Sequence, residues 1–186
     1  MKKMSVFILA SLALSLFVSG CGGSGSSDST ATGATVSILA SIADGTSVSA
    51  FSNYSSGTFT PATASFTLTS TIFSGALSPS PVTVNSIDVS YVPLEYNSTT
   101  HALSPPIGTV YHRAVGGVVT AGGTLDLTDI MIFTSIVGVQ GNTAITSLLN
   151  SGFDLPYAAT VTFNMNEDTT NTPMTCAATI ELILTK

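Results

Sequence analysis

The sequence predicts an all-β chain folded as an antiparallel β-sandwich of about seven to nine strands. Three observations predict it. Beyond residue 33, apolar residues repeatedly alternate with hydroxyl residues at period two, the signature of half-buried strands. Gly and Pro punctuate these segments at the spacing expected of a sandwich. Only residues 144–149 suggest a helical turn, at a place where a sandwich chain crosses between sheets.

The elements follow in order. Residues 35–42 make a first strand, stopped by Asp44-Gly45. Residues 64–72 alternate with Phe66, Leu68 and Ile72 on one face. Residues 82–91 place Val82 and Val84 on one face and then Ile87, Val89 and Tyr91. The apolar phase slips by one between Val84 and Ile87. A slip turns side chains to the other face, so a bulge or bend is expected at Asn85-Ser86. Residues 109–119 hold one or two strands interrupted by Gly116-Gly117, Gly122-Gly123 marks a turn, and residues 124–137 are strand again.

The last third is the clearest. Tyr157, Ala159, Val161, Phe163 and Met165 alternate with Ala158, Thr160, Thr162, Asn164 and Asn166. That pattern is an antiparallel strand with a hydroxyl-rich outer face. A polar loop over residues 166–173 leads into a final strand with Cys176, Ala178, Ile180, Leu182 and Leu184 on one face. The two strands form a C-terminal hairpin. The in-register position of Cys176 makes it a small core residue rather than a ligand or nucleophile.

Composition bounds the function. The chain of 186 residues carries a formal charge of −6 and only 8% charged residues. Without Lys2 and Lys3 the charge is near −8, with Arg113 and Lys186 as the remaining cations. Such a chain lacks the Lys/Arg footprint that nucleic acid or anionic lipid headgroups require. Ser and Thr make up about three residues in ten, so surface polarity comes mostly from hydroxyls. The 44% hydrophobic content is well above that of a disordered chain and suffices for one core.

The N-terminus reads as a secretory signal. Lys2 and Lys3 precede an apolar run over residues 6–17, and small residues then lead into Cys21. The run is too short for a transmembrane helix and is broken by Ser11, Ser15 and Ser19. Val18-Ser19-Gly20-Cys21 resembles the lipobox of bacterial lipoproteins. The resemblance implies a signal peptide over residues 1–20 and a diacylglyceryl, further acylated (palmitate-type) modification at Cys21. It implies an envelope address, with Gly22 fitting sorting to the outer membrane. Two or more acyl chains would give stable anchoring without any protein span. The expected organisation is then a lipidated Cys21 and Gly/Ser tether over residues 21–33, followed by one sandwich domain over residues 34–186.

The end of the chain also resembles immunoglobulin-like and fibronectin-type-III-like domains. Asp154-Leu155-Pro156 leads into Tyr157, where those folds often open the penultimate strand with a tyrosine whose hydroxyl bonds upstream backbone. The cysteine pair and buried Trp of antibody domains are missing. A jelly roll and a partly closed barrel fit the same strand spacing.

No nucleophile elbow, P-loop, zinc-protease motif, C-x-x-C or dinucleotide fingerprint is present. No cofactor is implied. His101 falls in a polar loop and His112 in a strand, too few for a metal site without a third ligand. Arg113 is expected to pair with Asp126 or Asp129. Asp126 and Asp129, or Asn166, Glu167 and Asp168, are the weak candidates for a Ca²⁺ site. Tyr54, Tyr91 and Tyr96 fall in turn-rich surroundings and are the candidates for interaction loops. The leading expectation is a non-catalytic envelope lipoprotein, held to the membrane by its lipid and meeting an envelope or surface protein. Its low charge would suit edge-to-edge assembly of strands. A carbohydrate- or Ca²⁺-binding lipoprotein and a hydrolase with a dispersed site are the alternatives.

Overall fold

The structure, a computed structural model, describes residues 29–43, 49–108, 110–135 and 142–186. The signal, Cys21, the Asp44-Gly45 stop and the end of the predicted strand over 124–137 lie outside the described residues. In chain order the elements are β1 (Thr30–Thr32), β2 (Val36–Ile42), β3 (Ser49–Ser55), β4 (Thr58–Phe59), β5 (Ala62–Ile72), β6 (Val82–Pro93), β7 (Glu95–Asn97), β8 (Ala102–Leu103), β9 (Tyr111–Val119), β10 (Thr124–Phe133), α1 (Thr143–Asn150), β11 (Leu155–Glu167) and β12 (Thr172–Thr185). The long strands lie where the sequence placed them, except β3, whose residues 51–54 were expected in a loop. The excess over seven to nine comes from β1, β4, β7 and β8, which are too short to carry a readable period.

Two sheets pack face to face. One has the order β1-β2-β5-β10, the other β4-β3-β12-β11-β6-β9, and β7 pairs with β8 in a small hairpin. All pairings are antiparallel except β3 beside β12, which is parallel. The core strands run β2-β5-β10 in the smaller sheet and β12-β11-β6-β9 in the larger, and among the described residues no strand lies outside β10.

The inward positions of both sheets meet in one core. Along β11 burial alternates without interruption from Leu155 to Glu167. Phe66 of β5 and Phe163 of β11, both fully buried, meet edge to face at 5.4 Å across the two sheets. Phe133 of β10 receives Tyr91 from β6 at 6.0 Å and Phe59 from β4 at 5.7 Å. Edge-to-face pairs of this kind add about 0.5–1.5 kcal/mol beyond the area they bury.

The slipped phase in β6 is a bulge. Val84 pairs with Met165 and Ser86 with Asn164, leaving Asn85 as the extra, exposed residue. Ile87, Val89 and Tyr91 thereby return to the core. Gly116-Gly117 does not interrupt a strand; β9 runs through both. Its register instead shifts opposite Asn85, so the irregularity of both strands falls at one place.

α1 connects the sheets, as its position in the sequence suggested. Asn142 accepts from Ala144 N and Ile145 N to cap its start, and Ile145 and Leu149 turn into the core. Its end is a Schellman motif. Gly152, at φ +84°, donates to Leu149 O, and Phe153 donates to Leu148 O. Phe153 then lies against Tyr96 at 5.2 Å.

The domain starts earlier than residue 34. Residues 29–33, expected within the tether, are folded into the sandwich. Ser29 N donates to Ala177 O, and Ala177 N donates to Ser29 Oγ at 2.6 Å. Ala31 is buried between them and β2. A Gly/Ser-rich composition forecasts solvation, but one small apolar residue and a waiting strand edge were enough to order this stretch.

Candidate functional site

Charge is scarce, so the charged residues locate the candidates. Among the described residues the ion pairs are His112–Asp88 and His101–Glu95. Asp88 sits on β6 between its neighbours β9 and β11, facing outward from the larger sheet. His112 Nδ1 lies 2.6 Å from one Asp88 oxygen, and Asn164 Nδ2 donates to the other at 2.7 Å. Asn164 also donates to Ser86 Oγ at 3.2 Å. The hydrogen bond from His112, then that from Asn164, hold the Asp88 carboxyl below its ordinary value, against a smaller opposing effect of burial.

An Asp–His pair through Nδ1 is the orienting half of a hydrolytic triad. Here it lies on an open sheet face, with the His112 side chain 66% exposed. No hydroxyl is bonded to His112 among the described residues. The arrangement is that of a cross-strand clamp, which contributes about 0–1 kcal/mol when exposed. His101 meets Glu95 at 3.1 Å at the tip of the β7–β8 hairpin, on a different element from His112.

The acids do not converge. Asp126 accepts from Thr67 Oγ1 on β5. Asp129 occupies the irregular stretch of β10 between Leu127 and Ile130, at φ +52°, and donates its N–H to Ser65 Oγ. Asp168 is exposed and accepts from Thr83 Oγ1, whereas Glu167 beside it is fully buried. Among the described residues no three of His, Cys, Asp and Glu are grouped to hold a metal ion. Arg113 takes part in neither ion pair, so the expected pairing with Asp126 or Asp129 is corrected. It lies opposite Ile87 on the inward side of β9, in the other sheet from both aspartates, where no strand flanks β10. Its inward, exposed charge guards that edge strand against further pairing.

The tyrosine loops are also corrected. Tyr91 is on β6, 8% exposed, and donates to Ile132 O at 2.6 Å; burial raises its pKa. Tyr54 is on β3 against Phe59 at 4.9 Å, and Tyr96 is on β7 against Phe153. Tyr91 is a core residue and Tyr54 and Tyr96 pack against the core from β3 and β7, a direction that flanking turn residues do not reveal. Tyr157 does bond upstream backbone, donating to Pro105 O at 2.8 Å. That acceptor lies between β8 and β9 rather than just before β11.

The strongest polar site is one whose role the sequence reading did not identify. Glu167 accepts from Ala34 N at 2.7 Å, Thr35 N at 2.8 Å, the Thr35 hydroxyl, and Thr170 Oγ1 at 2.8 Å. Burial alone pushes its carboxyl up, but these donors together outweigh burial and hold it below the ordinary value. Gly33 fits over it with no room for a side chain: a Cβ there would stand 2.9 Å from both Glu167 Oε2 and Met174 Sδ. The signal was present. Extending the Tyr157–Met165 alternation by two residues lands on Glu167 in the inward phase.

Outside these clusters the two outer faces carry hydroxyls. On β5 the outward positions are Thr63, Ser65, Thr67, Thr69 and Thr71, and on β11 and β12 Thr160 faces Thr179 at 3.1 Å. An open recess of about 350 Å³ is lined by Asn53, Tyr54, Ser55, Ser56, Asn150 and Lys186, with no carboxylate side chain among them. Comparison with family models, with curated proteins and with solved structures returns no match for this chain.

Proposed function

We propose that this chain is a lipid-anchored lipoprotein of a bacterial envelope whose sandwich is a non-catalytic structural or protein-interaction module. The observation that carries the reading is Val18-Ser19-Gly20-Cys21, set directly behind a basic start and a short apolar run. The Gly22 that follows points to the outer membrane. Two further features support it. The apolar run over residues 6–17 is too short for a transmembrane helix, which leaves the lipid to supply the attachment in this reading. Among the described residues, Asp88 and His112 are engaged in a cross-strand clamp and Glu167 in a buried latch, which suits a structural role.

The test is intact mass and membrane partitioning of the protein expressed in a bacterial host, beside Cys21→Ala. The expected result is a mass beginning at Cys21 plus acyl chains, with partitioning lost in the variant. An unmodified mass with the protein free in the medium or periplasm overturns the reading.

A further inference from the structure

The outer face of the larger sheet changes character at one end. There, apolar side chains stand on four neighbouring strands in two adjacent rows. Phe51 of β3 lies opposite Ile183 of β12, Ile183 opposite Pro156 of β11, and Ala158 of β11 opposite Val92 of β6. Phe51 is 56% and Val92 57% exposed. Three strand spacings make the band about 14 Å wide. Leu103, 61% exposed, follows at the same end, where Ser104 donates to Leu94 O and Pro156 O. Two carboxylates stand beside the band: Glu181 is opposite Ala158 and accepts from Ser49 Oγ, and Glu95 is opposite Leu103 and meets His101. Elsewhere the face is mostly hydroxyl and amide, with the Asp88–His112 pair and one exposed valine, Val118 of β9, set apart from the band, so the apolar side chains cluster at this end.

The folded start of the domain sets how far this band can be from an anchor at Cys21. Ser29 is tied to Ala177, six residues before Ile183 on the same strand β12, or about 20 Å along it. Residues 22–28 alone separate Cys21 from Ser29, and fully extended they reach about 28 Å. An anchored domain is therefore held with this flank within reach of the bilayer. At such short range a weak surface contact is strongly populated.

We propose that the Phe51–Ile183–Pro156–Val92 band docks on the lipid surface that carries the anchor, laying this end of the larger sheet against the bilayer. This rests on the lipoprotein reading. The occupant is an uncharged or zwitterionic leaflet, because a domain near −8 is repelled by anionic headgroups.

The chain has no tryptophan, so one introduced residue is a sole reporter. Full-length Phe51→Trp and Val92→Trp, purified with their lipid, would be reconstituted in phosphatidylcholine vesicles with brominated acyl chains. Leu39→Trp, on the outer face of the other sheet, is the control. An interfacial side chain sinks about 5–10 Å into the headgroup region, so both band reporters should be quenched about twofold or more while the control is not. Co-flotation with equal, unquenched emission from all three overturns docking and leaves the anchor standing. Emission from the band that shifts to the blue with protein concentration but is not quenched by bromine overturns it in favour of a second copy. Failure of the full-length protein to float with vesicles overturns the anchor, and the proposal with it.

Discussion

Glu167 and Thr35 stand 132 residues apart and are joined twice, through the Thr35 N–H at 2.8 Å and through its hydroxyl. The pair ties the last residue of β11 to the stretch entering β2, so one end of the larger sheet is bolted to the smaller one. A fully buried carboxylate is tolerated there only because Ala34 and Thr170 supply further donors.

Replacing that carboxylate tests the latch. Glu167→Gln keeps the shape but turns an amide NH₂ toward N–H donors. We expect a loss of about 1–3 kcal/mol in chemical denaturation, the cost of buried donors left unpaired. Wild-type stability should also depend on pH in a defined direction. The folded-state pKa is depressed from 4.5, so the contribution of Glu167 is complete above that value and lost as pH falls through the folded one. The Gln variant should show a shallower loss of stability below about pH 4.5. Equal slopes would mean that another acid controls acid unfolding.

Cys176 should be inert. It is 1% exposed, and burial pushes its thiol up to about 12. A thiol-exchange reagent at pH 8 should leave the native domain unlabelled and react fully on unfolding. Rapid labelling of the native protein would show that β12 opens readily.

The inter-sheet ring contact should dominate core stability. Phe66→Ala and Phe163→Ala should each cost about 3–5 kcal/mol. The double variant should cost less than the sum, with a coupling of about 0.5–1.5 kcal/mol. Strict additivity in denaturant titrations would mean that the two rings do not touch.

The Schellman end of α1 requires glycine at φ +84°. Gly152→Ala should destabilise by about 1–2 kcal/mol in thermal unfolding, since a Cβ crowds the left-handed backbone. An unchanged midpoint would show that the helix end rearranges without cost.

Much of this architecture was legible beforehand. Period-two alternation located β2, β5, β6, β10, β11 and β12, and a one-residue slip located the Asn85 bulge, because strand geometry converts phase directly into facing. The site residues were less legible. Tyr54, Tyr91 and Tyr96 sit among turn residues in sequence, and only packing shows that their rings point inward or against a neighbour. The pairing proposed for Arg113 failed because sequence proximity to Asp126 ignores that β9 and β10 belong to different sheets.

The sequence by itself determined β2, β5, β6, β10, β11 and β12 with their inward faces, the hydroxyl character of the surface and the place of α1, all of which depend on local period and turn chemistry. Tertiary structure decided which strands are neighbours, that β3 runs parallel to β12, that residues 29–33 join the fold, and that Glu167 closes on Thr35. Those choices depend on contacts between residues more than a hundred positions apart. Their partners are selected by shape and by unsatisfied hydrogen bonds, which leave no periodic trace along the chain.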